Sequence, residues 1–216
     1  MNISDQTLSI LKNFSEINTN ILLRPGKTIR TMSPQKTVMA AATIDDDIPS
    51  EAGIFDLSRF LATVSLFKNP DVDFQKEKFI IAGGKSKVSY TYAAPSMIVC
   101  APDKELPVNN VIAKLNIKWE DIQNARRAAG VLQLTEIAFI GNGTTVSMAA
   151  VDTKNSTGDV FEVEVGEVEN SGPFKTVIKV DNLKLLPSDY EVSLSSNGVA
   201  FFKSDKVRYW IAIEAR

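Results

Sequence analysis

The residues 80–88, IIAGGKSKV, contain Gly84-Lys85-Ser86, the ending of a phosphate-binding loop. A complete loop of that kind has a glycine five positions earlier, so that successive backbone N–H groups can wrap the phosphates. That position holds Phe79. A phosphate loop also opens a helix, whereas Ser86 leads into the alternating run KVSYTYA and the preceding KFIIAG reads as a strand. Gly83-Gly84 therefore reads as the turn of a β-hairpin, where glycine accepts a positive φ. The densest acidic cluster is residues 44–49, IDDDIP. Asp45, Asp46 and Asp47 offer oxygen ligands for a hard cation, but the rest of an EF-hand pattern is missing, and the segment reads as a solvated loop between strands. The chain has no histidine. That removes Ser–His and Cys–His nucleophilic pairs, imidazole bases and His-ligated zinc. No catalytic constellation and no cofactor are expected, so the chain is not read as an enzyme.

Composition sets the frame around these residues. The 216-residue chain is 44% hydrophobic, enough for one large or two small globular domains. No apolar run reaches the roughly 20 residues of a membrane helix, and the N-terminus lacks the basic-then-apolar order of a signal peptide. Cys100 is the only cysteine, which excludes an internal disulfide and suits a reducing cytoplasm. The expected setting is cytoplasmic, with no membrane partner. A net charge of −2 announces no polyanion partner, but a polyanion responds to where charges lie on the surface rather than to their sum.

Four segments carry helical periodicity. In residues 4–17, Leu8, Leu11, Phe14 and Ile17 share a side with Ile10 near its edge, and Ser4 is the N-cap. In residues 56–67, Leu57, Phe60, Leu61 and Val64 share a face. In residues 118–130, Trp119, Ile122, Ala125 and Ala129 do so, with Gly130 as the stop. The fourth, residues 181–186, ends at Pro187. Strand-like runs fill the intervals. A proline-bearing stretch divides the chain into an N-terminal domain at 1–95, a connector at 96–110 and a C-terminal domain at 111–216. The closing parts of the two halves match in order, each an Asp-led helix followed by strands, which points to a structural repeat of about a hundred residues. The turn at residues 202–206, FKSDK, is then the counterpart of AGGKS.

The polar sides of the predicted helices carry Lys12, Arg59, Arg127 and Lys184, with Arg126 flanking an apolar stripe. Acidic residues gather at the helix starts, which also complements the helix dipole. Equivalent helices of a two-fold repeat would present these cations on one surface, while strands such as VFEVEV carry the acid. Such a face follows a phosphate backbone without reading bases.

The runs ILKNFSEINTNILLRPGK, IFDLSRFL and KWEDIQNARRAAGVLQLTEIAF, with the proline-bearing linker, resemble the sliding clamps of T-even-type bacteriophages across the whole chain. The resemblance implies an α+β fold: two similar domains of antiparallel sheet with two helices each, a ring-forming DNA-clamp architecture. It implies a homotrimer that encircles double-stranded DNA without sequence preference, tethers a DNA polymerase, and is placed by an ATP-dependent clamp loader. Service to late-transcription factors is a further implied role. Helices would line the hole, and residues 87–92 of one copy would pair with residues 159–166 of the next. Lys12 and Arg127 match basic helix positions of the family; Arg59, Arg126 and Lys184 are assigned from face position. An apolar groove for partner tails would be lined by Met32, Ile98, Val99, Pro102, Leu106, Ile211 and Ile213. Two other readings stay open on the sequence: a ring-forming structural β protein of a phage particle, and a histidine-free enzyme using Asp45 to Asp47.

Overall fold

The computed structural model describes residues 1–155, 157–168 and 172–215. The chain divides into two compact units, Met1–Asp103 and Lys104–Arg216. The division falls inside the stretch read as a connector.

The first unit opens with helix α1 (Asp5–Ile17). Strands β1 (Ile21–Leu23), β2 (Gly26–Met32), β3 (Val38–Ile48) and β4 (Ala52–Ile54) follow. Helix α2 (Leu57–Val64) then leads into a meander of β5 (Asp71–Phe74), β6 (Lys78–Gly83) and β7 (Ser86–Thr91). All pairings are antiparallel: β1 with β4, β2 with β3, and β5-β6-β7 in order. The expected hairpin is present. Gly83 pairs with Ser86, and Gly84 has φ +60°, a value its missing Cβ permits.

Ile10, Leu11, Phe14 and Ile17 bury the inner side of α1. Leu8, expected on that stripe, is only half-buried, because it borders the space between α1 and α2. Phe60 of α2 packs on the meander, with ring centroids 4.9 Å from Phe79 and 5.5 Å from Tyr90, the second an edge-to-face contact. Phe79 also meets Tyr92 at 4.6 Å, so one aromatic cluster joins helix to sheet.

The acidic cluster is not a loop. Asp45, Asp46 and Asp47 lie within β3, bulged out between Thr43, which pairs with Thr28, and Ile48, which pairs with Gly26. Ile44 and Ile48 on either side are buried and hold the bulge to the core.

The second unit contains β8 (Val111–Ile117), α3 (Trp119–Leu132), β9 (Glu136–Gly141), β10 (Thr145–Val151), β11 (Phe161–Glu167) and β12 (Phe174–Lys179). It closes with the meander β13 (Tyr190–Ser195), β14 (Val199–Lys203) and β15 (Val207–Ala212). Strands pair antiparallel in the orders β11-β10-β9-β12 and β8-β13-β14-β15. Ile122, Ala125 and Ala129 bury one side of α3, which packs on β9, β10 and β11.

Two local expectations are corrected here. Gly130 does not end α3. The helix runs on to Leu132, and Gln133 takes the left-handed conformation at φ +56° while Leu134 N–H reaches back to the Ala129 carbonyl at 2.8 Å. That 6→1 bond satisfies a helix-end carbonyl without needing glycine. The fourth helix is also absent: residues 181–186 hold only a 3₁₀ turn, Val180–Asn182. Two tyrosines decide this. The Tyr190 hydroxyl donates to the Leu186 carbonyl at 2.6 Å, and the Leu186 N–H donates to the Tyr209 hydroxyl at 3.1 Å. Both backbone groups of Leu186 are thus taken by side chains of the following meander, and Pro187 blocks continuation. Burial, with the neighbouring Tyr209, pushes the Tyr190 hydroxyl far above its ordinary pKa, so it stays protonated as a donor.

Candidate nucleic-acid interface

The first unit presents Lys12 and Arg59 from helices fixed at their starts by carboxylates. Ser4 caps α1, its Oγ accepting from Thr7 N–H at 3.2 Å. Asp46 supports that cap from β3. Its Oδ2 accepts from Ser4 N–H at 2.9 Å and from Ser4 Oγ at 2.8 Å. Partial burial raises the Asp46 pKa, but hydrogen bonds from Thr7 and Ser4, and the charge of Lys27, outweigh it and leave the carboxyl below its ordinary value. The acidic bulge is therefore a capping device. Among the described residues no group of acidic, histidine or cysteine side chains converges as a metal site.

Asp56 caps α2, accepting from Arg59 N–H at 2.9 Å. Arg59 is exposed, and its carbonyl accepts from the Thr63 hydroxyl at 2.8 Å. Lys12 is exposed on α1 and borders a groove of about 810 Å³ between the helices. Ile3, Leu8 and Leu61 are among its apolar lining residues, and Ser9, Ser58 and Ser65 among its polar ones. Arg59 lies outside that lining.

In the second unit Arg127 is exposed on α3, opposite the buried stripe, and Arg126 is half-buried. The start of α3 is capped from a distance: Asp189 accepts from Trp119 N–H at 2.9 Å and from Lys118 Nζ at 2.8 Å. The Lys118 hydrogen bond, then the Trp119 N–H, hold the Asp189 carboxyl below its usual range, and the same pairing raises Lys118. Lys118 is thereby matched by its own carboxylate. Lys184 is half-buried and follows the 3₁₀ turn rather than standing on a helix, a correction to its expected setting. Sequence reasoning overlooked Val131, which is 82% exposed on the last turn of α3, one helical turn beyond Arg127. The signal was the i, i+4 spacing from Arg127.

The seven residues expected to line a partner groove divide by burial. Ile98 and Ile211 are core residues, which corrects their placement on a surface. The Ile98 side chain lies over Gly53 so closely that a Cβ there would meet it at 2.8 Å. Ile211 sits in β15 with Ala200 as its strand partner. Met32, Val99 and Ile213 are half-buried; Pro102 and Leu106 are exposed. The connector is tied down within each unit. Arg24 pairs with Asp103, and Val99 N–H donates to Asn20 at 3.1 Å. Arg208 pairs with Glu105 at 2.9 Å, and the Trp210 indole donates to the Leu106 carbonyl at 3.0 Å.

Two units of antiparallel sheet, each bearing a long helix with exposed cations, define the class of protein: the DNA-clamp, or processivity, fold. Solved structures bear this out at low identity. PCNA of A. fulgidus, solved with the C-terminal region of FEN-1 bound, superimposes with a TM-score of 0.72 at 15% identity, covering 97% of this chain and 95% of that one. PCNA of Thermococcus kodakaraensis gives 0.70 at 15% identity, with 96% and 95% covered. Sequence supplies the family. Residues 4–100 match the DNA polymerase processivity factor family and residues 114–215 the gp45 sliding clamp C-terminal family. The chain is 31% identical to the sliding clamp of Vibrio phage KVP40 over 220 residues, covering all of both. It is also 31% identical to that of Enterobacteria phage T4 over 224 residues, covering all of this chain and 97% of that one. The chain belongs to the sliding-clamp family of DNA polymerase processivity factors. Membership removes the particle-protein reading. No helix among the described residues is long and apolar enough to cross a membrane.

Proposed function

We propose that three copies of this chain close into a ring around duplex DNA and hold a DNA polymerase on its template. The observation that carries this reading is the exposure of Lys12 and Arg59 on the capped helices of the first unit and of Arg127 on the capped helix of the second. Lysine and arginine opposite phosphates supply a weak, salt-sensitive attraction with no base readout, so the ring slides. Retention comes from topology, because leaving the duplex requires the ring to open. Arg126 and Lys184 of the second unit, both half-buried, supplement the charge of Arg127.

The ring closes head to tail: the free edge of β7 in one copy adds to the free edge of β11 in the next, which hides both edges and generates closed symmetry. A clamp loader uses ATP to open the ring and place it on DNA in the host cytoplasm. Partner tails, those of the polymerase and of late-transcription factors, dock on apolar surface kept by Met32, Val99 and Pro102 in the first unit and by Leu106 and Ile213 in the second. A neighbour of the same fold, PCNA of A. fulgidus, was solved with a C-terminal segment of a partner bound, which supports tail docking as the mode.

The deciding experiment loads the protein on a nicked circular plasmid and on the same plasmid linearised. Retention on the circle and rapid loss from free ends is expected. Equal loss from both would end the topological reading.

A further inference from the structure

The outer edges of β7 and β11, two of the strands that end their sheets, carry opposite charge. β7 pairs on one side with β6, and β11 on one side with β10. Each alternates. In β7, Val88 and Tyr90 turn toward the aromatic cluster, while Lys87, Ser89 and Thr91 are exposed. In β11, Phe161, Val163 and Val165 turn inward, while Glu162 and Glu164 are exposed, with Glu167 at the strand end. Around β7, Lys85 stands in the exposed hairpin turn, and Lys78 of β6 lies directly across from Thr91. Asp71 and Asp73 of β5 are the carboxylates on that sheet, two strands from the β7 edge, and Asp71 is paired with the N-terminal amine. Around β11, Asp159 adds to the acid and Lys154 is the nearest described cation in the preceding turn. The strands match in length, six residues against seven.

A free edge can pair with its own kind as readily as with a different one, because backbone N–H and C=O groups are the same everywhere. Two β7 edges or two β11 edges would give a closed two-fold dimer, which is a dead end for a ring. We propose that the charges on these edges select the polarity of self-association. Lys87 of one copy faces Glu162 and Glu164 of the next, so β7 joins β11. β7 against β7 would set lysine on lysine, and β11 against β11 would set glutamates on glutamates. Both like pairings are penalised, so the side chains supply what the backbone lacks, a rejection of the wrong partner. When the edges join with α2 and α3 on one side of the continuous sheet, the apolar residues of both strands share that side and the charges share the other. Two exposed apolar side chains flank the seam: Val160 just before β11, and Leu66, whose neighbour Phe67 lies against Gly83 at the end of β6, the strand partner of Ser86 in β7.

This inference rests on the ring reading, and its test separates the two. Sedimentation of the full chain at low and high ionic strength compares four proteins: unaltered, Lys87→Glu, Glu162→Lys with Glu164→Lys, and the three substitutions combined. All three positions are exposed, and unchanged melting temperatures verify the folds. The unaltered chain is expected as a trimer that weakens with salt. Each one-sided reversal should weaken association about tenfold or more at low salt, and the combined chain should regain the trimer because every seam again joins unlike charges. If the one-sided reversals assemble as the unaltered chain does, or the combined chain assembles no better than the weaker of them, the charge rule is wrong while the ring stands. An unaltered chain that stays a monomer at all concentrations overturns the ring and the charge rule together.

Discussion

Arg127 offers the most direct test of how this chain holds DNA. It is exposed on α3, opposite the stripe of Ile122, Ala125 and Ala129, so Arg127→Ala removes charge without touching the core. The helix favours alanine, so its stability should not fall. With Lys12, Arg59 and Arg127 on each copy, the proposed ring of three would offer about nine cations. If all released counterions from B-DNA, the logarithm of affinity would fall with the logarithm of salt at a slope of about −8. Removing Arg127 withdraws about three of the nine and should flatten the slope by up to about 2.7. The assay is equilibrium binding of a short linear duplex by fluorescence anisotropy between about 50 and about 200 mM salt, where topology plays no part. Binding should weaken most at low salt, equally for unrelated sequences. An unchanged slope, or a loss confined to one DNA sequence, would refute the assignment of Arg127 to phosphate.

Asp46→Asn should destabilise the fold by about 1 kcal/mol, the usual worth of an N-cap, since the carboxylate is half exposed. Its pKa in the folded chain is depressed, so its contribution is present above the unfolded carboxylate value near 3.9 and is lost as pH falls through the lower folded value. Thermal melts should therefore separate the variant from the parent at neutral pH and converge in strong acid. Gly130→Ala should stabilise by about 0.5–1 kcal/mol, because Gly130 is helical and nothing lies within 4 Å of an added Cβ. Gln133→Gly should also stabilise, since position 133 takes φ +56°; urea midpoints measure both. Val99→Asp should weaken capture of a polymerase C-terminal peptide without lowering the melting temperature, whereas Ile98→Asp should unfold the first unit by burying a charge beside Gly53. Equal peptide affinity in the Val99 variant would remove Val99 from the docking surface.

Much of the fold is legible locally. The apolar spacing in α1, α2 and α3 and the Asp56 cap lie within a few residues of one another, and the hairpin at Gly84 needs only its neighbours. The basic positions Lys12, Arg59 and Arg127 follow from those same spacings, because the side opposite a buried stripe faces water. Gly130 misled because glycine inside a helix is tolerated when the packed side continues past it, as it does to Leu132. The acidic run misled because strand pairing with Thr28 and Gly26, distant in sequence, drew it into β3.

The sequence by itself determined the family, the order of the two units, the three long-period helices and the chemistry excluded by the absence of histidine. Tertiary structure alone decided that residues 181–186 stay out of a helix, that Asp46 reaches Ser4, that Ile98 and Ile211 are core, and that β7 and β11 end their sheets with opposite charge. The physical reason is range. Periodicity and capping depend on residues within a turn or two of each other, whereas Tyr190 and Tyr209 take the Leu186 backbone, and a strand becomes an edge, only after distant segments have packed.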